Sequence, residues 1–531
     1  AEINNEFKGG IFPSDGAEIY LRHDLALTPA RAYVWKDVEG AKEGEYGKVV
    51  ILEEYDEGDE IVLKPDETLV VDFGQNAAAV PQFVFKAAEG TVLTCLPSEI
   101  LNDGNGAESR GMDGPEGSCH RRNLRVQDNP GILLQYTFGE ENDYVSYMPR
   151  RTFFGYRYIS VTSSDEVRFR MIRSIPVSSV TKDMEIGHIT TGNPLVNQLI
   201  SNTVWGMYSN YLSIPTDCPQ RDERLGWTAD AQVFVETGSF FANTGAFMRK
   251  WMRDMRDSQS ETGGFPGVAP LAQYGNEKMR LGWADAGIIV PWTIWKQFGD
   301  IAVIDENWEA MEKFMNHINE TKYDHNALAA ENNNYQWADW LSYEPLESSG
   351  GGAFIYGPKG RVPRPEALEY WNYLSASYWL LDAEMMRDMA VAADRNADVY
   401  DEMAEEARRY IKEKFLTPEG SFKLRILDSM QTPALFALKN NLLEDEARDN
   451  MIARLRENFR QHGDCLQTGF LGTSILMSTL TDNDMADIAY DLLLQRKNPS
   501  WLYSVDNGAT TVWERWNSYM IESGMGPKGM N

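Results

Sequence analysis

The period of the hydrophobic pattern changes once along this chain, near residue 187. Before that point, short runs rich in β-branched and aromatic residues are separated by Gly, Asp or Pro, which is typical of β-strands joined by turns. After Ile189, apolar residues recur at three- and four-residue steps, as they do on one face of a helix. The pattern therefore predicts a β-sandwich region over residues 1–187 and a helical region over residues 188–531.

Strand-like runs recur at short spacing in the first region. They lie at 49–52, 61–63, 68–71, 83–85, 91–96, 144–148 and 156–161. Segment 101–122 interrupts them and is rich in Gly, Asp and Asn, which predicts a long excursion from the sheet. Many short strands with turn signals between them are typical of a sandwich.

Eleven helical segments are predicted in the second region. They lie near 193–210, 229–243, 245–258, 284–298, 300–320, 366–389, 395–415, 430–440, 444–461, 467–480 and 482–496. Their apolar residues keep the spacing that places one face of each helix on a core. Eleven is an odd number, although helices that pack as hairpins come in pairs.

The balance of charge limits which partners the protein can bind. The chain has 531 residues, 50 of them basic and 80 acidic, so its net charge is −30. Such a chain repels phosphate backbones and anionic lipids, and we expect neither nucleic acid nor membrane insertion. The N-terminus shows no signal-peptide pattern. Localisation stays open: periplasmic or extracellular if a signal was removed before residue 1, cytoplasmic otherwise.

Metal, disulfide and several enzyme motifs receive little support from the sequence. The four cysteines are scattered without a Cys-x-x-Cys pair, and Cys119-His120 is best interpreted as chance adjacency. A Gly-x-Ser-x-Gly elbow is absent, and Pro358 interrupts the one stretch that approaches a phosphate loop. The 15 tryptophans and 24 tyrosines suit the stacking of sugar rings, although large cores also use them.

A highly charged stretch occupies residues 217–230. It contains four carboxylates, two arginines and a tryptophan: Asp217, Asp222, Glu223, Asp230, Arg221, Arg224 and Trp227. Such a cluster is either a solvated, salt-bridged loop or the polar wall of an active site, and the apolar segments on both sides favour the wall. A simple ion pair of Glu223 with Arg221 or Arg224 stays open, as does a helix N-cap role for Asp217.

A second candidate motif lies at residues 509–516, where Glu514 stands between Trp513 and Trp516. Aromatic walls desolvate a carboxyl and raise its pKa, as a general acid requires. In the alternative interpretation, the two tryptophans form the core face of a helix and Glu514 pairs with Arg515 or another base. Taken together, two carboxylate centres beside tryptophans resemble the acid and base of a glycosidase.

These two stretches carry a specific resemblance. Residues 217–232 and 508–516 are similar to the signature stretches of the α-L-rhamnosidases of glycoside hydrolase family 78. Further similar stretches are Asp72-Phe-Gly-Gln-Asn76, Gly155-Tyr-Arg-Tyr158, Gly282-Trp283-Ala-Asp-Ala, Ala338-Asp339-Trp340, Gln467-Thr-Gly-Phe470 and Pro499-Ser-Trp501. The resemblance thus runs from about residue 70 to the end. One departure is Ala229, where the family often has Gly.

The resemblance implies a β-sandwich followed by an (α/α)6 barrel with the pocket at one mouth. It implies an exo-acting glycosidase that removes terminal non-reducing α-L-rhamnose with inversion of configuration, with Glu223 as general acid and Glu514 as general base. It further implies a sugar subsite lined by Asp217, Arg221, Trp227, Asp230, Trp283 and Trp340. In an inverting enzyme the two carboxyl groups stand roughly 6.5–9.5 Å apart. The implied partner is a rhamnose-containing carbohydrate; no cofactor and no metal are implied, and the oligomeric state stays open.

The family commonly continues past a Gly-Met-Asn sequence like Gly529–Asn531 into the last helix of the barrel. The resemblance thereby explains the odd helix count and implies a barrel truncated at its last helix, without a sugar-contacting histidine. Two alternatives to rhamnoside hydrolysis stay open. One is an inverting glycosidase that acts on another sugar with the same barrel. The other is a carbohydrate-binding relative that has lost catalysis.

Overall fold

The computed structural model describes residues 17–104, 113–126, 131–139, 143–271, 279–280, 282–321, 336–349, 351–357 and 360–525. These residues form two compact units. The sheet unit combines Ile19–Arg224 with Arg496–Asn531, and the helical unit comprises Leu225–Gln495 with Ala1–Glu18. The domain boundary predicted between residues 187 and 188 stays a prediction. The Gly529–Asn531 stretch lies outside the described residues.

The sheet unit contains nearly all of the described β-strands. Its strands are β1 Tyr20–Leu21, β2 Arg31–Glu39, β3 Lys48–Tyr55, β4 Ile61–Leu63, β5 Thr68–Ala87, β6 Val92–Ser98, β7 Ile100–Leu101, β8 Cys119–His120, β9 Leu134–Thr137, β10 Val145–Tyr147, β11 Phe154–Ser163, β12 Val167–Ser178, β13 Tyr211–Leu212, β14 Ile214–Pro215, β17 Tyr519–Met520 and β18 Gly524–Met525. Its helices are α1 Pro194–Asn210 and α12 Trp501–Asp506, with 3₁₀ turns at His23–Leu25, Arg122–Leu124 and Lys182–Met184.

The 20-residue strand β5 organises the sheet. Its first part pairs antiparallel with β2 and β11, and its last part pairs with β10 and β12. Alternate side chains of β5, among them Leu69, Val71, Phe83 and Phe85, enter one hydrophobic core. There Phe85 stacks on Phe169 of β12 with ring centroids 5.9 Å apart. The sheet-rich N-terminal part predicted from the sequence is therefore confirmed.

The runs predicted at 68–71 and 83–85 are two ends of this one strand. Gly74, a glycine between these two runs, has φ +73°, but the chain only bulges there and continues in the sheet. Strands β2 and β12 were not predicted. Both contain register shifts, at Trp35 and between Phe169 and Met171, which interrupt the strict alternation of apolar residues.

Long helices make up most of the helical unit. They are α2 Thr228–Phe241, α3 Gly245–Asp257, α4 Ala286–Phe298, α5 Ala302–Thr321, α6 Pro365–Ala392, α7 Asp398–Phe415, α8 Gln431–Lys439, α9 Asp445–Gln461, α10 Phe470–Asp482 and α11 Ala486–Leu494. A hairpin of β15 Phe354–Gly357 and β16 Gly360–Pro363 and a 3₁₀ turn at Arg425–Ser429 connect some of them. All eleven predicted segments are confirmed, with α1 as the first. The six-residue helix α12 was not predicted, because it is too short to show a period.

The even-numbered helices of this unit contact one another in cyclic order, from α2 through α4, α6, α8 and α10 back to α2. The odd-numbered helices pack against them and carry charged faces, as α7 and α9 show. This alternation follows from the sequence, since α6 and α8 are apolar around most of their circumference and α7 on one face only. The helical fold is confirmed, whereas closure as an (α/α)6 barrel and its truncation stay predictions. Among the described helices, none is both long and apolar enough to cross a membrane.

Candidate active site

The charged stretch begins as a non-helical loop that follows β14 in the sheet unit. No helix starts at Asp217, so the N-cap role considered for it is wrong. The loop packs closely on β11: a Cβ atom at Gly155 would lie 2.8 Å from the backbone of Gln220. Only glycine allows this approach, which gives the Gly-Tyr-Arg-Tyr motif a physical role in placing the loop.

Arg221 is the centre of this loop and is only 3% exposed. Its Nε lies 3.1 Å from Glu223 Oε2, its Nη1 lies 3.1 Å from Glu514 Oε2, and its Nη2 lies 3.7 Å from Asp217 Oδ2. Burial alone lowers the pKa of Arg221, but the acidic groups around it, Glu514 and Glu223 among them, raise the pKa well above its ordinary value. One buried, permanently charged guanidinium thus gathers three of the predicted site carboxylates.

Glu223 and Glu514 are the accessible members of this group, 19% and 23% exposed. Because Nε and Nη1 belong to one rigid guanidinium, the two Oε2 atoms lie within about 9 Å of each other. The ion pair considered for Glu223 is confirmed with Arg221, and Glu223 remains partly exposed in this pair. Residues 513–516 are not helical, so the helical core interpretation of Trp513 and Trp516 is wrong. The pairing of Glu514 with another base is confirmed, since Glu514 contacts Arg221.

A second arginine, Arg125, also contacts Glu223. Arg125, at the end of the 3₁₀ turn Arg122–Leu124, places Nη2 3.0 Å from Glu223 Oε2. It also lies 3.9 Å from Asp222. Sequence reasoning missed Arg125, because the residue is about 100 positions away and carries no motif of its own.

Glu99 is a third carboxyl near this group and was also missed. Its two oxygens accept hydrogen bonds of 2.9 Å from Asn76 Nδ2 and Asn123 Nδ2. Burial raises the pKa of Glu99 to about 7, although Asn76 and the charge of Arg221 oppose this shift. Its electrostatic interactions with Arg221 and Glu514 place it beside the site in the sheet unit.

The helical unit brings other predicted residues together around Trp337. The ring centroid of Trp337 lies 5.2 Å from that of Trp227 and 4.8 Å from that of Trp283. The guanidinium of Arg280 stacks 4.1 Å from the Trp337 centroid. Trp337 was not predicted as a site residue; its spacing of three from Trp340 was the available signal. Asp230, in the first turn of α2, is partly exposed.

Trp340 lies on a loop with an unusual backbone in the helical unit. Ala338 and Leu341 adopt positive φ, 52° and 63°, which non-glycine residues adopt only when the surroundings hold them there. The buried carboxylate of Asp339 provides this hold by accepting hydrogen bonds from Thr432 Oγ1 at 2.5 Å, Gly469 N at 2.7 Å and Gly472 N at 2.9 Å. The Ala-Asp-Trp and Gln-Thr-Gly-Phe motifs are therefore one structural device that fixes Trp340.

Asp217, Cys218 and Glu223 are the one group of potential metal ligands found among the described residues. The electrostatics do not suit a cation, because the buried guanidinium of Arg221 already lies against both carboxylates. Burial also raises the pKa of the Cys218 thiol well above its ordinary value, so the thiolate that a metal binds is disfavoured.

The geometry thus joins Asp217, Arg221, Glu223 and Glu514 in the sheet unit, and Trp227 and Trp283 in the helical unit. Two partly exposed carboxylates on one arginine are suited to acid and base chemistry on a neutral substrate. That all the predicted residues line one pocket stays a prediction.

Comparison with known proteins places the chain in a class and then in a family. Residues 184–531 match the family model described as the bacterial alpha-L-rhamnosidase 6 hairpin glycosidase domain, which defines the class as glycosidases. Residues 62–178 match the bacterial alpha-L-rhamnosidase concanavalin-like domain. The chain belongs to the bacterial α-L-rhamnosidase family, which confirms the resemblance identified from the sequence.

Three relatives illustrate the similarity. An α-L-rhamnosidase from Formosa agariphila is 32% identical over 482 residues, which are 90% of this chain and 47% of that protein. The crystal structure of Streptomyces avermitilis α-L-rhamnosidase complexed with L-rhamnose gives a TM-score of 0.74 at 27% identity and covers 97% of this chain and 42% of that one. Native α-L-rhamnosidase from Aspergillus terreus gives 0.73 at 27% identity, covering 89% and 51%. The chain spans about half the length of the curated relatives it matches.

Proposed function

We propose that this protein is an exo-acting, inverting α-L-rhamnosidase that hydrolyses terminal non-reducing α-L-rhamnose from oligosaccharides, polysaccharides or glycosides. The observation that carries the proposal is the pair of accessible glutamates, Glu223 and Glu514, held by the buried Arg221. Membership of the α-L-rhamnosidase family supports the sugar, since a relative at 27% identity has L-rhamnose bound.

Glu223 acts as the general acid in this proposal. It donates its proton to the glycosidic oxygen as the bond to the leaving group breaks. Arg125 Nη2 and Arg221 Nε lie 3.0 and 3.1 Å from its Oε2 and fix the direction of this carboxyl group. Their positive charges face the carboxylate that remains once the proton has been transferred.

Glu514 acts as the general base. Its contact with Arg221 fixes its position, so it can remove a proton from a water that attacks the opposite face of the sugar. The upper limit of about 9 Å between the two Oε2 atoms is compatible with the 6.5–9.5 Å that inversion requires.

The remaining residues recognise a neutral 6-deoxy sugar. Asp217 and Arg221 offer hydrogen-bonding groups to the hydroxyls, and Asp230 adds a partly exposed carboxylate. Trp227, Trp283 and Trp340 supply flat apolar faces for the ring and the methyl group.

Hydrolysis of an aryl α-L-rhamnoside by the intact protein tests this function. Glu223→Gln and Glu514→Gln keep the shape of each side chain and remove only proton transfer, so each should lower kcat by about 10²–10⁴-fold. A panel of other aryl glycosides serves as the control for sugar specificity. Hydrolysis of another glycoside in preference to the rhamnoside would contradict the substrate, and rhamnose binding without turnover would contradict the activity.

A further inference from the structure

Four side chains hold the segment that leads to Glu514, residues 508–511, in place. Three consecutive carbonyl oxygens of this segment each accept a hydrogen bond from a side chain. The bonds run from Arg157 Nη1 to Gly508 O at 3.1 Å, from Asn202 Nδ2 to Ala509 O at 3.0 Å and from Gln75 Nε2 to Thr510 O at 2.7 Å. A non-helical segment fixed at each residue in this way has little freedom to move.

Two of the four side chains, Gln75 and Asn76, come from the bulge in β5. Tyr156 pairs with Ala77 and Tyr158 pairs with Asp72, so residues 73–76 leave the ladder opposite Arg157. Asp72 stabilises the bulge by accepting hydrogen bonds from Gly74 N at 2.7 Å and from Arg157 Nε at 2.8 Å. Bulges redirect side chains, and this one directs Gln75 and Asn76 towards the 508–511 segment. The catalytic mechanism assigns no role to the Asp-Phe-Gly-Gln-Asn motif. Its contacts indicate that it holds residues 508–511 in place.

Asn76 makes more contacts with this segment than the other three residues. Its backbone N–H donates to Thr510 Oγ1 at 2.9 Å, and its amide Nδ2 donates both to Thr511 Oγ1 at 3.3 Å and to Glu99 Oε1 at 2.9 Å. The other oxygen of Glu99 is held by Asn123. Asn76 therefore joins the Glu514 segment to a carboxyl that is itself fixed from two sides.

We propose that Asn76 is a positioning residue for Glu514. It links residues 510–511 to Glu99 and thereby keeps the base Glu514 at a fixed position relative to the acid Glu223 on Arg221. This inference rests on the proposed role of Glu514 as general base. A displacement of about 1 Å at a reacting group can cost about 10²-fold in rate, so loss of the Asn76 contacts should change kcat more than KM.

The test compares Asn76→Ala with Asn123→Ala in the intact protein. Each variant removes one amide donor to Glu99, but only Asn76 also bonds to residues 510–511. We expect Asn76→Ala to lower kcat on an aryl α-L-rhamnoside by about 10–100-fold with KM changed less than about threefold. Asn123→Ala should change kcat less than about threefold. Thermal unfolding of both variants checks that their stabilities are similar.

Thr511→Val provides a second variant that avoids the sheet altogether. It removes the hydroxyl that accepts from Asn76 and keeps the shape, whereas Thr511→Ser keeps the hydroxyl. We expect a loss of kcat for Val and near wild-type kcat for Ser. Equal kcat values for the Asn76 and Asn123 variants, or for Thr511→Val and the wild type, would overturn the positioning role while rhamnoside hydrolysis stands. An inactive wild type would instead overturn the function and this inference together.

Discussion

At the scale of single residues, the arrangement depends on Arg221. A buried arginine costs free energy unless it is paired, and here three carboxylates pair with it. Its planar fork can bind two carboxylates at once in fixed directions, which a lysine cannot do. The separation of Glu223 from Glu514 is therefore set by the guanidinium and not by the 290 residues of chain between them.

Arg125 should help to hold Glu223 in place for proton transfer. Its Nη2 lies 3.0 Å from Glu223 Oε2, and removal of this contact leaves the carboxyl less firmly oriented. We expect Arg125→Gln to lower kcat on an aryl α-L-rhamnoside by about 10-fold. Arg122→Gln, on the same 3₁₀ turn, is the matched control. Equal kcat values for the two variants would mean that Arg125 does not act on the proposed acid.

At the scale of elements, buried carboxyls stabilise the loops of the helical unit. Glu344 Oε1 accepts hydrogen bonds from Gln431 N at 2.6 Å and Thr432 N at 2.9 Å, at the start of α8. Burial, reinforced by the charge of Asp339, raises the pKa of Glu344 to about 8. Burial also raises the pKa of Asp339, but its three hydrogen bonds oppose that shift, so we expect the proton of this pair to reside on Glu344.

This raised pKa makes the stability of the helical unit depend on pH. The folded carboxyl keeps its proton where the unfolded one, with an ordinary pKa near 4.5, has lost it. The stabilising contribution is complete below pH 4.5 and is lost as pH rises through about 8.

Glu344→Gln mimics the protonated form and should remove this dependence. The difference in Tm, variant minus wild type, should be about 2–6 °C more positive at pH 8.5 than at pH 5. Thermal unfolding of both proteins at the two pH values measures this difference. The buried Asp382 beside Asp285 shifts in the same direction in both proteins and cancels in the comparison. A Tm difference that does not change with pH would show that Glu344 is already ionised in the folded state.

At the scale of the whole molecule, the sequence predicts the local pattern better than the contacts between distant residues. Helices such as Asp398–Phe415 were predicted because their spacing is local and regular. Glu223 and Glu514 were found because each lies in a dense motif, and Arg221 because it lies beside one of them. Arg125, Glu99 and Asn76 could not be assigned from the sequence, since their roles exist only through contacts with residues far along the chain.

The bulge in β5 illustrates the same limit for the fold. Gly74-Gln75-Asn76 has the composition of a turn, and nothing local distinguishes a turn from a bulge. The distinction comes from Arg157 and residues 508–511, which hold the bulge from the other side. Tertiary contacts thus determine that residues 74–76 form a bulge and not a turn, and this bulge contacts the segment that leads to Glu514.

The proposed function requires that Glu223 and Glu514 carry out inverting hydrolysis of an α-L-rhamnoside. The most direct test is ¹H NMR of the sugar first released from an aryl α-L-rhamnoside by the intact protein, before mutarotation. We expect the β-anomer of L-rhamnose, with the rate of release lowered by about 10²–10⁴-fold in Glu223→Gln and in Glu514→Gln. Release of the α-anomer would mean retention and a nucleophile in place of the base, and an absence of released rhamnose would contradict the proposed activity itself.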